Sequence, residues 1–548
     1  MMKHTYHIIP ILMGLILVCT GCSNSLQSII EDTKEATVTI YTFDEYGSPS
    51  GVGSGFFIDD KGTCLTNYHV LDRATKAILK TFEGLEFEID SVLISNKKKD
   101  IVKFNIKNPD KKRFAYLTFA TSELKQGDKV YNVSSPVGLE QTVSDGIISA
   151  LRSDSHGDIV QITAPISQGS SGSAIINDKG DVIAIASFLH KGGQNLNFGV
   201  KLSDEILGLI KDNEFSKKNP KFNKKADFVI VNVPASNAPH VRLNAIEFKP
   251  DATIAYLSYS NLDMTRNPAQ VSFQTEDKTK SYALTDVAND KNYAMTSFST
   301  ADHEEETLIV PLASTTQFRM VFPAIRNNAD LTDLELKPQG NTVGWKFEGV
   351  NVADARAALH YDMETYQKNY AYAMMREGEL DYAQELFSQI LEETPDDEDA
   401  LNAMGILSYV QGNLKDALTY FNEAIENHPS SETSYNNRAK FYADKGDLKK
   451  AKADLSKSIG INESGENYLN RAEVNMGLED VEAARADLTK ALEKGGLSED
   501  PYTYYKRACC AIYLRDFRQA NEDIRMAYKL NRDPEFDQHL QELYNAIP

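Results

Sequence analysis

A turn rich in glycine and serine, QGSSGS at 168–173, is the stretch of this chain whose residue types are best suited to chemistry. It lies between two apolar runs, 159–166 and 174–176, which predict strands. Such a turn can expose one hydroxyl while it aims successive backbone N–H groups at a single point. Nucleophilic serine catalysis needs both an accessible oxygen and donors placed where negative charge develops. A plain hairpin turn is the alternative interpretation, because glycine and serine are common in turns.

Two upstream segments carry the residues that such a serine needs. Residues 53–70 predict a strand, a turn at 60–62, a second strand and then His69. Asp100 directly precedes a short apolar strand. A histidine can accept the serine proton, and an aspartate can orient the imidazole and stabilise its protonated form. The chain therefore contains a possible triad in the order His69, Asp100, Ser171.

Four motifs in this part of the chain correspond, in the same order, to motifs of a known enzyme family. The family pattern is nearly intact in GSGF at 53–56 and TNYHV at 66–70, and it is changed in DIVKF at 100–104, at Ile101 and Val102, and in GSSGS at 169–173. With them, residues 36–213 resemble the trypsin-like serine proteases, and most of all the bacterial HtrA type. The resemblance implies an all-β domain of two barrels with the active site in the crevice between them. Short, evenly spaced apolar runs over 36–198 favour a closed β architecture, followed by a helix at 203–211.

The resemblance also assigns a role to each candidate site residue. Ser171 would be the nucleophile, and His69 would act first as general base and then as general acid. Asp100 would orient the imidazole. The backbone N–H groups of Gly169 and Ser171 would form the oxyanion hole. Protein or peptide substrates are implied, and no metal or cofactor is expected, since the chain has no phosphate-binding glycine loop and no metal-ligand spacing outside its leader.

Two departures from the family motif leave an inactive site open as an alternative. Ser170 stands where the family has asparagine, and Ser173 stands where it has a second glycine. Both changes alter side chains beside the oxyanion turn, and a β-carbon at 173 stiffens the backbone.

The expected substrate preference follows from another position. Family members that prefer Lys or Arg have an acidic residue six positions before the nucleophile, where this chain has Pro165. A small or apolar P1 residue is therefore expected.

The N-terminus predicts a lipoprotein leader at 1–21. Lys3 gives it a charged start, and an apolar run at 8–18 is too short to span a bilayer. The run ends in VCTGC at 18–22, which resembles the bacterial lipoprotein box and implies that Cys22 carries the lipid. An ordinary secretory signal is the alternative. Either interpretation predicts a bacterial cell-envelope protein, with the outer membrane or periplasm as the expected site.

The net charge of the chain argues against two classes of binding partner. There are 79 acidic and 58 basic residues, a formal net charge of −21. Nucleic acids and anionic lipid surfaces bind basic surfaces, so neither is expected as a partner. Membrane attachment would then depend on the lipid anchor alone.

Two further regions follow the protease-like segment. Residues 214–226 are lysine-rich and polar and predict a linker. Residues 227–352 contain apolar runs between polar turns, with the single tryptophan, Trp345, near the end. They predict a β-sandwich of immunoglobulin-like type that serves as a spacer or binding module.

A repeat occupies the last part of the chain, 364–545. Alanines recur at intervals of 33 to 36 residues, at Ala383, Ala417, Ala451, Ala484 and Ala520. This spacing resembles five tetratricopeptide repeats, an all-α solenoid of helix pairs with a concave groove. The resemblance implies a protein partner in that groove. A spacer or a dimerisation arm is the alternative.

Charged residues in the last three repeats follow an all-or-none pattern. In each of these repeats an arginine in the first helix precedes an aspartate in the second helix by 16 residues. The pairs are Arg438 with Asp454, Arg471 with Asp487, and Arg507 with Asp523. The first two repeats have an uncharged residue at both positions. This pattern predicts a partly buried ion pair within each repeat and not a basic stripe that binds a ligand.

Two functions are consistent with the whole sequence. One is an envelope-anchored serine endopeptidase whose repeats recruit or sense a protein. The other is a protein-binding lipoprotein that has kept an inactive protease fold.

Overall fold

The computed structural model describes residues 25–72, 74–134, 142–154, 157–167, 169–187, 197–211, 227–265, 269–272, 282–300, 307–326, 331–338, 344–357, 363–494, 497, 500–531 and 534–547. The predicted leader at 1–21, Cys22 and the predicted linker at 214–226 lie outside these residues.

The first barrel follows a helix, α1 (Leu26–Ala36). Its strands are β1 (Thr37–Phe43), β2 (Pro49–Phe57), β3 (Thr63–Thr66), β4 (Lys76–Thr81), β5 (Glu86–Asn96) and β6 (Ile101–Ile106), with a short helix α2 (Tyr68–Leu71) after β3. They close in the order β1-β2-β3-β6-β5-β4. Buried side chains such as Ile40, Phe57, Leu79 and Phe104 form its core, as the alternation of a closed barrel requires.

The second barrel has the same strand count. Its strands are β7 (Lys129–Ser134), β8 (Thr142–Asp154), β9 (Gly157–Ile162), β10 (Ala174–Ile176), β11 (Val182–Ser187) and β12 (Asn197–Lys201), followed by α3 (Asp204–Lys211). They close in the order β10-β11-β12-β9-β8-β7. The predicted double barrel and its closing helix are confirmed. The strand predicted over 159–166 is too long, because β9 ends at Ile162 and Pro165 has no N–H for a ladder.

The described residues of the middle region form three separate sheets. Its strands are β13 (Phe228–Ala235), β14 (Ala238–Phe248), β15 (Ala252–Asn261), β16 (Ala269–Ser272), β17 (Tyr282–Asp286), β18 (Lys291–Ala294), β19 (Ser297–Thr300), β20 (Thr307–Val310), β21 (Ser314–Pro323), β22 (Leu334–Pro338) and β23 (Phe347–Val350). A five-stranded sheet has the order β13-β14-β15-β21-β19, a four-stranded sheet has the order β18-β17-β22-β23, and β16 pairs with β20. Residues of the two larger sheets share one apolar cluster. The immunoglobulin-like type stays a prediction.

Helices form the rest of the chain. A short α4 (Val352–Ala357) precedes α5 (Met363–Arg376), α6 (Leu380–Glu393), α7 (Glu398–Val410), α8 (Leu414–Asn427), α9 (Glu432–Asp444), α10 (Leu448–Ile461), α11 (Gly465–Gly477), α12 (Val481–Glu493), α13 (Pro501–Tyr513), α14 (Phe517–Leu530) and α15 (Pro534–Asn545). The helices from α5 to α14 form five pairs, and the periodic alanines are fully buried in the second helix of each. The helix-pair repeats that the 33-to-36-residue period predicts are therefore confirmed.

The Arg–Asp pairs of the last three repeats form as the sequence predicts. In each pair Nε and Nη2 of the arginine donate to the two carboxylate oxygens over 2.7–2.9 Å. The aspartate side chains are only 2–9% exposed, and the arginine side chains are 15–23% exposed. These arginines therefore join the two helices of one repeat.

One apolar cluster joins the three parts of the chain. It includes Phe43 of β1, Tyr256 of β15, Tyr366 of α5 and Met404 of α7. A hairpin at 44–48, between β1 and β2, enters this junction. The first barrel, the five-stranded sheet and the first repeats consequently share a core.

Candidate active site

The imidazole of His69 is held by Asp100 across two neighbouring strands. His69 lies in α2, directly after β3, and Asp100 lies directly before β6, which pairs with β3. Nδ1 of His69 is 3.0 Å from Oδ1 and 2.9 Å from Oδ2 of Asp100. The backbone N–H of His69 also donates to Oδ1 over 3.0 Å. The carboxylate thus fixes both the ring and the backbone of the histidine, which leaves Nε2 for a proton transfer.

Asp100 itself is buried and held from both barrels. Its backbone is in the left-handed region, with φ of 52°, a conformation that costs a non-glycine residue about 1 kcal/mol. Asn67 Nδ2 donates to its carbonyl over 3.0 Å, and Ser187 Oγ donates to its Oδ2 over 3.1 Å. Sequence reasoning missed both supports. Asn67 stands inside the histidine motif and could have been found there, whereas Ser187, at the end of β11, has no local signal.

The Gly/Ser turn of the second barrel is pinned to strand β2 of the first. The Ser54 N–H donates to the carbonyl of Ser171 over 2.7 Å, and Ser54 Oγ donates to the carbonyl of Gly169 over 2.8 Å. Gly53 has no room for a Cβ, which would lie 2.6 Å from Val70 and 3.2 Å from the carbonyl oxygen of Ser171. Since Val70 follows His69 in α2, this contact places the Ser171 backbone beside the histidine helix.

The backbone of the turn requires glycine at two positions. Gly169 and Gly172 have φ of 91° and 90°. A Cβ at Gly172 would also overlap the Ser54 carbonyl and the Thr66 hydroxyl. Among the described residues, the N–H groups of Gly169 and Ser171 donate no hydrogen bond. The next N–H, that of Gly172, donates to the carbonyl of Ala186 over 2.9 Å. Two donors are therefore available for a developing oxyanion.

The two departures from the family motif are built into the second barrel. Ser170 is buried, and its hydroxyl lies 2.9 Å from that of Ser134 on β7. Ser173 is also buried, and its hydroxyl accepts from Asn132, again on β7, over 2.7 Å. Both hydroxyls are thus engaged with β7. Ser171 Oγ makes no hydrogen bond to a described residue, so the structure brings His69 and Asp100 together and leaves the link to Ser171 unmade.

The segment before the turn contains Pro165, the position from which the sequence predicts the P1 preference. The Pro165 carbonyl accepts from Ser144 Oγ over 2.8 Å, and the Ile166 N–H donates to Asn197 Oδ1 over 3.2 Å. Ile166 is buried in the apolar cluster of the second barrel. The described residues 163–167 contain no acidic side chain. Residues 188–196, which follow β11, lie outside the described residues.

Parts of this chain are similar to known protein families. Residues 53–185 match the model of the trypsin-like peptidase domain, and residues 371–432 and 432–464 match tetratricopeptide repeat models. The periplasmic serine endoprotease DegP of Escherichia coli K12 is 33% identical over 164 residues, which cover 28% of this chain and 34% of that protein. The periplasmic pH-dependent serine endoprotease DegQ of the same strain is 38% identical over 165 residues, which cover 28% of this chain and 35% of that protein.

The chain thus spans about a third of the length of these curated relatives. Among solved structures, the serine endoprotease from Yersinia pestis is 26% identical, with a TM-score of 0.31, and covers 35% of this chain and 68% of that one. In the described part of the chain, no helix has the length and hydropathy needed to cross a membrane.

Proposed function

We propose that this chain is a serine endopeptidase that cleaves peptide bonds in protein substrates. The observation that supports this most is the pairing of His69 with Asp100 beside a turn that offers two unused backbone donors. The relatives named above as serine endoproteases align with the same region. The altered turn residues do not argue against activity, because Ser170 and Ser173 bond to β7.

In the proposed mechanism, Ser171 Oγ attacks the carbonyl carbon of the scissile peptide while His69 Nε2 accepts its proton. The carbonyl oxygen becomes an oxyanion and accepts hydrogen bonds from the N–H groups of Gly169 and Ser171, each worth roughly 3 kcal/mol in comparable sites. Asp100 stabilises the imidazolium. Collapse of the intermediate breaks the C–N bond as His69 gives its proton to the leaving amine. Water, deprotonated by His69, then hydrolyses the acyl-enzyme.

Labelling by a fluorophosphonate probe tests this function. Residues 23–548, made without the lipid, should form a covalent adduct at Ser171. The alternative, a binding lipoprotein with an inactive protease fold, predicts no adduct, since no activated hydroxyl would be present.

We propose that the repeats recruit or sense a protein, and that the later repeats provide the free part of the groove. Asn437, on the first helix of the third repeat, accepts from the Met264 N–H over 2.9 Å and donates to the Leu262 carbonyl over 3.0 Å. The middle region therefore already lies against the first helices of the early repeats.

We also propose three domains, with bounds at 36–213, 227–352 and 364–545. The second of them is proposed to be a sandwich of immunoglobulin-like type.

Cleavage should favour a small or apolar P1 residue. Pro165 stands where an acid would pair with Lys or Arg, and a cationic side chain buried there without a partner is strongly disfavoured. A peptide-library profile measured with wild-type protein checks this, with the Ser171→Ala preparation as the control for contaminating proteases. A profile dominated by cleavage after Lys or Arg would refute the expectation.

We further propose that the protein is anchored to the cell envelope by lipid on Cys22. Wild-type protein should then partition with membranes, and Cys22→Ser should not, because one residue carries the acyl chains. Recovery in membrane and soluble fractions measures this. Cys509→Ser, a change in α13, should partition like the wild type. Equal membrane recovery of wild type and Cys22→Ser would exclude the anchor.

A further inference from the structure

A tyrosine of the first repeat makes hydrogen bonds inside the first barrel. Tyr366, on α5, is 1% exposed, and its hydroxyl is shared between the carbonyls of Gly51, at 2.8 Å, and Thr42, at 3.0 Å. Its ring packs edge-on against Tyr41 and Phe43 of β1, with centroids 4.8 and 5.6 Å apart. The contact joins residues more than 300 positions apart and lies where the β1–β2 ladder shifts register.

The hairpin at 44–48 is held from the middle region as well. Asp44 Oδ2 accepts from Gln317 over 2.6 Å, and Ser48 Oγ accepts from Asn244 over 3.0 Å. Gly47 lies so close to Ala245 that a Cβ would come within 2.6 Å of its methyl. The hairpin that leads into β2 is thereby held by contacts outside the barrel.

A residue further along the same strand holds the nucleophile turn. Ser54 is three residues beyond Gly51, about 10 Å along an extended strand. It binds the carbonyls of Gly169 and Ser171, which belong to the peptide planes on either side of the one that carries the Ser171 N–H. The direction of that N–H therefore depends on where β2 places Ser54.

We propose that Tyr366 is a positioning residue for the oxyanion hole, acting through β2 on the turn at 169–172. The first repeat is then part of the catalytic unit as well as part of a recruiting arm. This inference rests on the proposed function, because it assigns a role within that site. An oxyanion hole is used in the transition state and not in ground-state binding, so loss of the Tyr366 hydroxyl should lower kcat and leave KM unchanged.

Tyr366→Phe tests the proposal in the chain 23–548, because it keeps the ring and removes only the hydrogen bonds. The matched control is Tyr370→Phe, a buried tyrosine one turn further along α5 whose ring lies 6.2 Å from that of Tyr366 and 6.0 Å from that of Tyr382, and which also keeps its ring in the variant. With a short peptide substrate, kcat of Tyr366→Phe should fall about three- to tenfold, the range that one lost hydrogen bond gives. KM should not change, and Tyr370→Phe should keep the kcat of the wild type.

A second measurement does not need activity. In a Ser171→Ala background, hydrogen exchange of segments 51–57 and 169–174 should be faster with Tyr366→Phe, and unchanged with Tyr370→Phe. If the wild type hydrolyses no substrate, the proposed function fails. The difference in hydrogen exchange still decides whether Tyr366 positions the turn at 169–172. An unchanged kcat in the active enzyme, an equal loss of kcat in both variants, or no exchange difference would overturn the proposal.

Discussion

Ser171→Ala should abolish hydrolysis of an unfolded protein, with kcat lowered roughly 10⁴-fold or more. The change removes the oxygen that forms the acyl-enzyme, and nothing else in the described site can replace it. The fold should survive, because Ser171 Oγ makes no hydrogen bond to a described residue and its backbone bond to Ser54 is kept. Turnover of a fluorescent unfolded protein, together with a thermal melt, measures both effects.

Ser170→Ala is the matched control, because it removes the neighbouring hydroxyl from the same turn. That hydroxyl faces Ser134 inside the second barrel, so its loss should cost stability of about 1 kcal/mol and leave turnover within about threefold of the wild type. If Ser170→Ala abolished probe labelling and Ser171→Ala did not, the nucleophile would be the wrong serine. Full activity of Ser171→Ala would remove the proposed mechanism altogether.

Arg471→Ala should destabilise the repeats by about 3 kcal/mol, the lower end of the range for a broken buried ion pair. The change leaves the Asp487 carboxylate, 8% exposed, with only the Asn475 amide as a described partner, at 2.8 Å. Hydrogen exchange of α11 and α12 in the full chain, or its thermal melt, checks this. Lys452→Ala is the control, since its pair with Asp480 is open to solvent, which screens it, and its loss should leave the melt nearly unchanged.

The second repeat supplies a neutral replacement for the same pair. Arg471→Met with Asp487→Tyr copies its Met404 and Tyr420 and should recover much of the lost stability, because no charge then remains buried. Asn475 loses its partner in that variant, so adding Asn475→Ser, which copies Ser408, should recover more. Additive losses in the double variant, or an unchanged melt in Arg471→Ala with weaker partner binding, would contradict a structural role.

Local patterns in the sequence were enough to predict the elements that depend on near neighbours. The motif around His69 and the alanine period predicted the barrels and the helix pairs, and the paired Arg471 and Asp487 predicted their own contact. The sequence could not predict contacts between distant segments. The bond of Tyr366 to Gly51 and that of Ser187 to Asp100 depend on how whole domains pack, and neither residue stands in a motif.

The shared core also makes the two ends of the solenoid mechanically different. The first repeats are built into a cluster with the barrel and the sheet, whereas the described clusters of the last repeats contain repeat residues alone. In a solenoid each unit contacts mainly its neighbours, so an end that is not built into a shared core is held only through the repeats before it. We therefore expect a protein bound near α15 to have more freedom to move relative to the barrels than one bound near α5.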